Sequence, residues 1–256
     1  MQIVVAMRQL ADLVEELEVN DAGTDIDREF VKFVSNEWDE AALEEALTLK
    51  DTLGASVTVV ALDEPDVDQT LYAALAKGAD RVVKLTGNDP DGWVRSRERA
   101  QRLASFLAGE PFDLVLTGVQ AADDLDGQLA GILGSLLEVP HAAVVVGVEG
   151  SDTKVRVTQE MGGGLLGVSE LDLPAVLGIQ AAKQTPRYAP ISRIRQAMQT
   201  GEIAEHEVEV GDTTAQVKVR RLYPPESTGA GATMLKGSPK EVAAEIIEII
   251  KSKGLV

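Results

Sequence analysis

The 256-residue sequence contains no cysteine and only two histidines, His141 and His206. Without cysteine, disulfide bonds, thiolate catalysis, iron–sulfur clusters and cysteine-bound zinc are excluded. Two histidines also disfavour metal sites built from imidazole ligands and catalytic triads that depend on histidine. The sequence therefore favours a function that needs neither a reactive thiol nor a histidine base, and we expect no metal site and no catalytic residue.

Basic residues are also scarce, since 24 Lys and Arg stand against 42 Asp and Glu, a formal net charge of −18. A nucleic-acid partner requires clustered basic side chains that neutralise phosphates, so none is expected. One basic stretch does occur: residues 183–199 contain Lys183, Arg187, Arg193 and Arg195 and no acid. This stretch is either ordinary solvated surface or a face for a separate partner.

No apolar run has the length of a membrane span. The longest apolar-rich stretch, residues 129–148, contains Glu138, Pro140 and His141, which predicts a buried helix followed by a strand. The first seven residues lack the basic region of a signal peptide. We expect a cytoplasmic protein without stable membrane insertion.

The sequence does contain an alternation of buried strands and amphipathic helices. Four apolar runs have the length of buried strands: residues 2–6, 57–62, 81–85 and 113–117. A helical pattern follows each of them: residues 36–54, 66–77, 92–107 and 124–137. This alternation predicts an α/β fold, a Rossmann-like three-layer α/β/α arrangement with a mostly parallel sheet.

After Pro140 the pattern changes. Residues 142–148, 154–159 and 174–180 read as strands of an antiparallel β extension. Residues 184–237 show little regular pattern, and Ser238-Pro239 then starts a helix that runs to about Lys251. The sequence thus predicts an extended arm that ends in a C-terminal helix.

Two short motifs invite a functional interpretation that their context opposes. Gly162-x-Gly164-x-x-Gly167 has the spacing of a dinucleotide-binding loop, but no helix follows, so we predict a β-turn. The acidic run Asp123 to Gly127 lacks the spacing and the closing Glu of a calcium loop. We interpret it as acids at the start of a helix, where the helix dipole favours them.

The ends of the predicted strands are more informative. Gly118-Val119-Gln120 follows the fourth strand, and open α/β sheets bind ligands at the carboxyl ends of their strands. Gly118 lets a ligand approach the backbone, and the following helix start offers N–H groups to a phosphate. If Asn36 and the Ala6-Met7 strand end lie nearby, three chain ends converge on a nucleotide site.

Several ordered blocks resemble the β subunit of electron-transfer flavoproteins over nearly the whole chain. They are residues 4–8, 31–39, 43–46, 76–81, 113–128, the stretch from Glu160 to Leu177, and Pro186-Arg187-Tyr188. The Asn36-Glu37-Trp38-Asp39 block, the strand at His141 and Ala232-Thr233-Met234 resemble the branch that serves bacterial methylamine-type dehydrogenases.

The resemblance implies a subunit that pairs with a separate α subunit carrying the redox FAD, while the β subunit holds a structural AMP. The complex relays electrons from flavin dehydrogenases to a downstream acceptor, without bond-making catalysis by this chain. Carried over by position, the AMP-binding residues are Ala6, Asn36, Glu37, Trp38, Asp39, Leu62, Gly118, Val119, Gln120, Asp123, Asp124, Gln128 and Leu129.

By the same resemblance, the segment after Pro186 forms a loop that docks on the dehydrogenase. The docking residues are Arg187, Tyr188, Ile191 and Arg193, with Ile191 as the anchor. The expected organisation is a nucleotide-binding α/β domain over residues 1–183, a docking loop and extended arm over 184–237, and a helix within 238–256 that packs on the partner subunit.

Four departures from the family pattern and two alternatives accompany this interpretation. Asp63-Glu64 replaces a Gly-Pro pair, Leu129-Ala130 replaces Thr-Gly, Gln159 replaces a basic residue and Gly162 an acidic one. The bifurcating type, with a second FAD in the AMP position, often has Gly where Asp124 stands. A stand-alone nucleotide-binding regulator of the universal-stress kind usually has a glycine-rich phosphate loop late in the chain, which this sequence lacks.

Overall fold

The computed structural model describes the chain except for positions 15, 30, 91, 125, 152, 211–218, 225–230 and 256. The strands are β1 (Gln2–Met7), β2 (Gln9–Ala11), β3 (Phe33–Ser35), β4 (Ser56–Leu62), β5 (Arg81–Thr86), β6 (Leu114–Gly118), β7 (His141–Gly150), β8 (Lys154–Glu160), β9 (Leu166–Asp172), β10 (Ala175–Ile179) and β11 (Ile203–Glu207). The helices are α1 (Glu37–Leu53), α2 (Val67–Lys77), α3 (Ser96–Leu107), α4 (Leu129–Leu137), α5 (Ile191–Thr200) and α6 (Pro239–Ser252).

Nine strands form one sheet in the order β11-β5-β4-β1-β6-β10-β7-β8-β9. The pairings from β11 to β7 are all parallel, whereas β7, β8 and β9 pair antiparallel. A separate small sheet joins β2 and β3. The predicted fold class, a mostly parallel sheet with an antiparallel extension, is confirmed.

Two helical layers cover the parallel strands, and each has its own hydrophobic core. In β1, Ile3, Val5 and Met7 pack on the α1 and α2 side, whereas Val4 and Ala6 pack on the α3 and α4 side. Such strands are apolar on both faces because both faces are buried. This is the predicted three-layer α/β/α arrangement.

Helix α1 starts and stops where the sequence predicts. Asn36 is its N-cap residue and Gly54 its C-cap, in a left-handed conformation with its N–H donating to the Lys50 carbonyl. Acidic residues occupy the first turn and Lys50 the last, as the helix dipole favours. The side chain of Asn36 does not cap the helix, which leaves it available for another contact.

The glycine-rich motif forms a turn, as predicted. Gly162, Gly163 and Gly164 all have positive φ, from +61° to +81°, and they connect β8 to β9. The sequence analysis missed β9, because an edge strand with mostly exposed side chains carries little hydrophobic signal.

β10 differs from its predicted place in the antiparallel extension. It lies between β6 and β7 and is parallel to both. Every residue of Ala-Val-Leu-Gly-Ile is buried, as expected for an interior strand of a parallel sheet. The chain therefore forms the β7–β9 end of the sheet first and then returns to fill the interior position between β6 and β7.

The predicted arm over residues 184–237 contains regular structure that its sequence pattern did not reveal. Residues 191–200 form α5, which packs on α2 with Ile194 and Ala197 half-buried. Residues 203–207 form β11, which adds a parallel strand beside β5. The Ile-Ala-Glu-His-Glu sequence of β11 is polar because the strand lies at the sheet edge.

Two compact units are distinguished by their internal contacts, residues 1–17 with 27–218, and residues 18–26 with 219–256. The second contains α6, whose Ser238 and Glu241 form a reciprocal capping box. In the same unit the Leu222 N–H donates to the Gly23 carbonyl at 2.8 Å. The predicted C-terminal helix is thus confirmed.

Candidate functional site

The carboxyl ends of β4, β1 and β6 lie side by side at one edge of the sheet. β1 pairs in parallel with β4 on one side and with β6 on the other. The chain continues from β1 into α1 on one face and from β6 into α4 on the opposite face. The place where the connections change from one face of the sheet to the other is called a switch point. Ligands of open α/β sheets bind in the crevice there.

Asp39 joins these strand ends to the first turn of α1. Its carboxylate accepts the backbone N–H of Arg8 and that of Gly118, each at 2.9 Å. Asp39 is 1% exposed, and burial raises the pKa of its carboxyl to about 6 against the attraction of Arg8. Asn36 donates its side-chain N–H to the Gln120 carbonyl at 2.9 Å. The end of β1, the start of α1 and the end of β6 therefore meet, as predicted.

Gly118 allows other atoms to approach its backbone closely, but in the structure these atoms belong to the protein itself. A Cβ at this position would overlap the Asp39 carboxylate and would lie 2.8 Å from the Trp38 Cβ. From the sequence, a ligand was expected against this glycine. In the structure, the first turn of α1 occupies that place, because Asp39 must reach the Gly118 N–H.

A buried arginine follows β1 directly. Arg8 is 2% exposed, and its Nη1 donates to Asp124 Oδ2 at 2.7 Å. Asp124 also accepts the Ser96 hydroxyl at 2.8 Å and the Ala121 N–H at 2.9 Å. Burial disfavours both charges, yet the attraction of Asp39 and Asp124 raises the pKa of Arg8, and the attraction of Arg8 holds the pKa of Asp124 below its usual range. This ion pair ties β1 to the loop after β6 and to the start of α3.

A second buried arginine, Arg99 of α3, pairs with Glu64 just beyond β4. Within the part of the chain that the structure describes, Nε and Nη2 of Arg8 and Nε and Nη1 of Arg99 have no hydrogen-bond acceptor. A buried charged donor without an acceptor is costly, and guanidinium groups bind anionic oxygens strongly. These four nitrogens are therefore candidate hydrogen-bond donors to the acceptor atoms of a ligand.

A narrow cleft lies between the two arginines. As it stands, the cleft is too narrow to admit a water molecule. Its lining combines apolar side chains with three ionisable ones: Ala6, Met7, Leu62, Leu103 and Leu129 with Arg8, Asp39 and Arg99. Apolar walls with a few convergent polar groups are typical of small-molecule sites.

The predicted nucleotide-binding residues fall into three groups. Four line the cleft: Ala6, Asp39, Leu62 and Leu129. Others surround Asp39, the loop after β6 and Arg8: Asn36, Trp38, Gly118, Val119, Gln120 and Asp124. The rest are exposed, Glu37, Asp123 and Gln128, although the Asp123 carboxylate lies 3.5 Å from Nη1 of Arg8.

Asp124 was expected at a helix start and lies instead in a turn. α4 begins at Leu129, and Gly127, with φ +60°, stands between them in a left-handed conformation that a helix cannot include. The Asp124 carboxylate therefore interacts with Arg8 and Ser96 rather than with a helix dipole. Of the acidic cluster, Asp124 thus holds Arg8, which lines the cleft.

Sequence reasoning missed Arg99 and Ser96 as members of this site. In α3, Leu103 and Phe106 belong to the core, and Arg99 and Arg102 fall on the same helical face. Basic residues on an apolar face are a signal of buried ion pairs, since charges are rarely buried without a partner.

The predicted docking residues lie next to one another but differ in setting. Tyr188 and Ile191 are 79% and 63% exposed, and Arg193 is exposed on α5. Ile191 is the first residue of α5 rather than part of a loop. The Arg187 guanidinium donates to Glu44 and Asp51 of α1, so its charge is matched within the chain.

Other kinds of site find little support in the described residues. No group of three or more Asp, Glu or His side chains there is arranged to hold a metal ion. Among the same residues, no helix is both long and apolar enough to cross a bilayer.

Comparison with known proteins gives a consistent result. Residues 25–210 match the family described as "Electron transfer flavoprotein domain". The chain is 36% identical to the electron transfer flavoprotein subunit beta of Methylophilus methylotrophus, with 98% of each chain covered. It is 33% identical to that of Bradyrhizobium diazoefficiens, covering 99% of this chain and 98% of the relative. Identity to the Bacillus subtilis subunit is 26% over the full length of both. On the extent of these matches, the chain belongs to the family of electron transfer flavoprotein beta subunits.

Proposed function

We propose that this chain pairs with an electron-transfer flavoprotein α subunit that holds FAD, and that it binds AMP in the cleft beside Arg8 and Arg99. The complex relays electrons from flavin dehydrogenases to a downstream acceptor, and this chain performs no bond-making catalysis itself. The observation that carries the AMP site is the set of four guanidinium nitrogens beside these strand ends that have no acceptor among the described residues.

The chemistry of the lining residues suits AMP, and the cleft would have to open to admit it. Ala6, Leu62 and Leu129 offer apolar walls to the adenine ring. Arg8 and Arg99 offer donors to acceptor atoms, which AMP carries on both its phosphate and its ring. Bound there, AMP would raise the free energy of unfolding by an amount that grows with the logarithm of its concentration over Kd, since it binds the native state alone.

The decisive experiment is extraction of the nucleotides from the purified heterodimer. After denaturation, chromatography should show one AMP and one FAD per heterodimer. Two FAD and no AMP would replace this proposal by the bifurcating alternative.

Arg99→Gln tests the cleft itself. The variant should weaken AMP binding about ten-fold or more, because a charge-assisted hydrogen bond is worth about 1.5–3 kcal/mol. Titration calorimetry on the AMP-stripped heterodimer measures this. Glu64→Gln is the matched control, since it alters the same ion pair and leaves the Arg99 donors in place. Equal affinity of wild type and Arg99→Gln would remove Arg99 from the site.

We further propose that Tyr188, Ile191 and Arg193 dock on the dehydrogenase. Arg187 attaches this part of the chain to α1 through Glu44 and Asp51. Exposed Ile191 follows Pro190, which limits the conformational freedom lost on binding. The apolar face of α6, which exposes Ile246, Ile247 and Ile249, is proposed to pack on the α subunit.

Ile191→Ala should raise the KM of the heterodimer for its dehydrogenase about ten-fold, since it removes about 1–2 kcal/mol of apolar burial. Steady-state reduction of the FAD, followed by absorbance, provides the measurement. Leu136→Ala, which trims a similarly exposed apolar residue on α4, should leave KM unchanged. A wild-type KM in Ile191→Ala would show that another residue anchors the dehydrogenase.

A further inference from the structure

Helix α1 buries two adjacent glutamates, Glu44 and Glu45, which are 3% and 1% exposed. The neighbouring buried residues of the helix are alanine and leucine, as expected for a face that packs on the sheet. Burying a carboxylate is unfavourable unless hydrogen bonds or an opposite charge compensate. The two glutamates therefore require specific partners.

Both partners lie on one irregular stretch of chain that follows β10. Glu44 accepts the backbone N–H of Arg187 at 2.8 Å and is also bound by its guanidinium, with Nε at 3.1 Å and Nη2 at 3.0 Å. Glu45 accepts the backbone N–H of Lys183. Arg187 Nη2 reaches Asp51 as well, two turns further along α1. Side chains of α1 thus hold a segment that is neither helix nor strand.

Arg187 is the stronger of these two attachments. Its hydrogen bond to Glu44 and its attraction to Asp51 raise the pKa of the guanidinium, against the effect of burial. A planar guanidinium that meets a carboxylate through two nitrogens fixes orientation as well as distance. Lysine has no such fork, so the geometry depends on arginine.

The exposed Tyr188 and Ile191 come directly after this attachment. Between them, Ala189 is buried, and Pro190 is the N-cap residue of α5. α5 in turn packs on α2. The short exposed segment is therefore fixed on both sides, by Arg187 before it and by α5 after it.

We infer that Glu44 is a positioning residue, which acts through Arg187 to hold Tyr188 and Ile191 in the orientation that the dehydrogenase recognises. The inference rests on the proposed docking role of this surface. A surface ordered before binding loses less conformational entropy on association. Loosening it raises KM and leaves electron transfer within the complex unchanged.

Glu44→Gln in the intact heterodimer tests this inference. The amide keeps the size of the side chain but loses the charge that holds the guanidinium. Hydrogen exchange of the Arg187 and Tyr188 amides should accelerate about ten-fold. The dehydrogenase for this assay is isolated by its ability to reduce the wild-type complex. KM for it should rise about five-fold at unchanged kcat. Glu40→Gln is the matched control, because it removes an ion pair of the same helix, to Lys77, one turn earlier.

A purely structural role for Glu44 predicts a different result. Both variants would then lower thermal stability alike, and neither would change KM. Faster exchange at Arg187 with a wild-type KM would overturn the inference, and so would unchanged exchange. If Glu44→Gln assembles poorly, Arg187→Lys keeps the charge and loses the fork, and should raise KM in the same direction.

Ile191→Ala in the same assay distinguishes failure of the positioning role from failure of the docking surface. A raised KM in Ile191→Ala with a wild-type KM in Glu44→Gln overturns the positioning role alone. A wild-type KM in Ile191→Ala overturns the docking surface, and the positioning role with it.

Discussion

Replacement of Gly118 by alanine should lower the free energy of unfolding by about 3 kcal/mol, since overpacking a buried site typically costs 1–3 kcal/mol and lost hydrogen bonds add to it. The added methyl group would overlap the Asp39 carboxylate and press on the Trp38 Cβ. Neither can retreat without breaking the bonds from Asp39 to the ends of β1 and β6. The proposed AMP site should be lost as well, because Asp39 lines its cleft.

Gly131→Ala is the matched control for that substitution. Gly131 lies inside α4, and a Cβ there meets nothing within 4 Å. Because glycine disfavours a helix interior, this variant should gain about 1 kcal/mol of stability. Urea unfolding followed by circular dichroism compares the two variants with the wild type. Equal stability of Gly118→Ala and the wild type would mean that the first turn of α1 can move away from β6.

Stability should fall as pH rises from about 4 to about 6, by about 3 kcal/mol from Asp39 alone. Burial raises the pKa of Asp39 in the folded protein to about 6, whereas an unfolded aspartate titrates near 4. Between these values the folded state binds more protons than the unfolded state. Raising the pH therefore favours unfolding, and the stabilisation is fully present only below the unfolded pKa.

Asp39→Asn isolates this contribution, because an amide does not titrate. The other charged groups near the cleft, Arg8, Arg99 and Asp124, remain in both proteins. The difference in unfolding free energy, wild type minus variant, should decrease across this pH range and level off above it. Urea titrations at several pH values measure it. A difference that stays constant would show that Asp39 is not held with a raised pKa.

The sequence predicts those parts of the fold that depend on local pattern. α1 follows from its N-cap, its acidic first turn and Gly54, all of which act within a few residues. The place of β10 does not follow, because strand order depends on contacts between distant segments. β11 and α5 were missed for a related reason: half-exposed elements carry few apolar residues.

The meeting of the chain ends could be predicted for the same physical reason. Strand ends converge in any parallel sheet, so Ala6, Asn36 and the loop after Gly118 could be placed together, whereas Leu62 was placed by the family resemblance alone. The burial of Arg99 depends on α3 packing over the end of β4, beside Glu64. Such an ion pair joins segments that are remote in sequence, and no local pattern indicates that the two residues meet.

The position of β10 has a consequence for synthesis of the chain. β6 is made early, but its second neighbour is completed only at Ile179, after the entire β7–β9 extension. Until then a nascent chain carries β6 with one unpaired edge, and β7 cannot join the sheet. Unpaired strand edges during folding promote aggregation, and pairings between distant strands form slowly. Translation beyond residue 179 is therefore the step that supplies the missing neighbour of β6 and allows β7 to join the sheet.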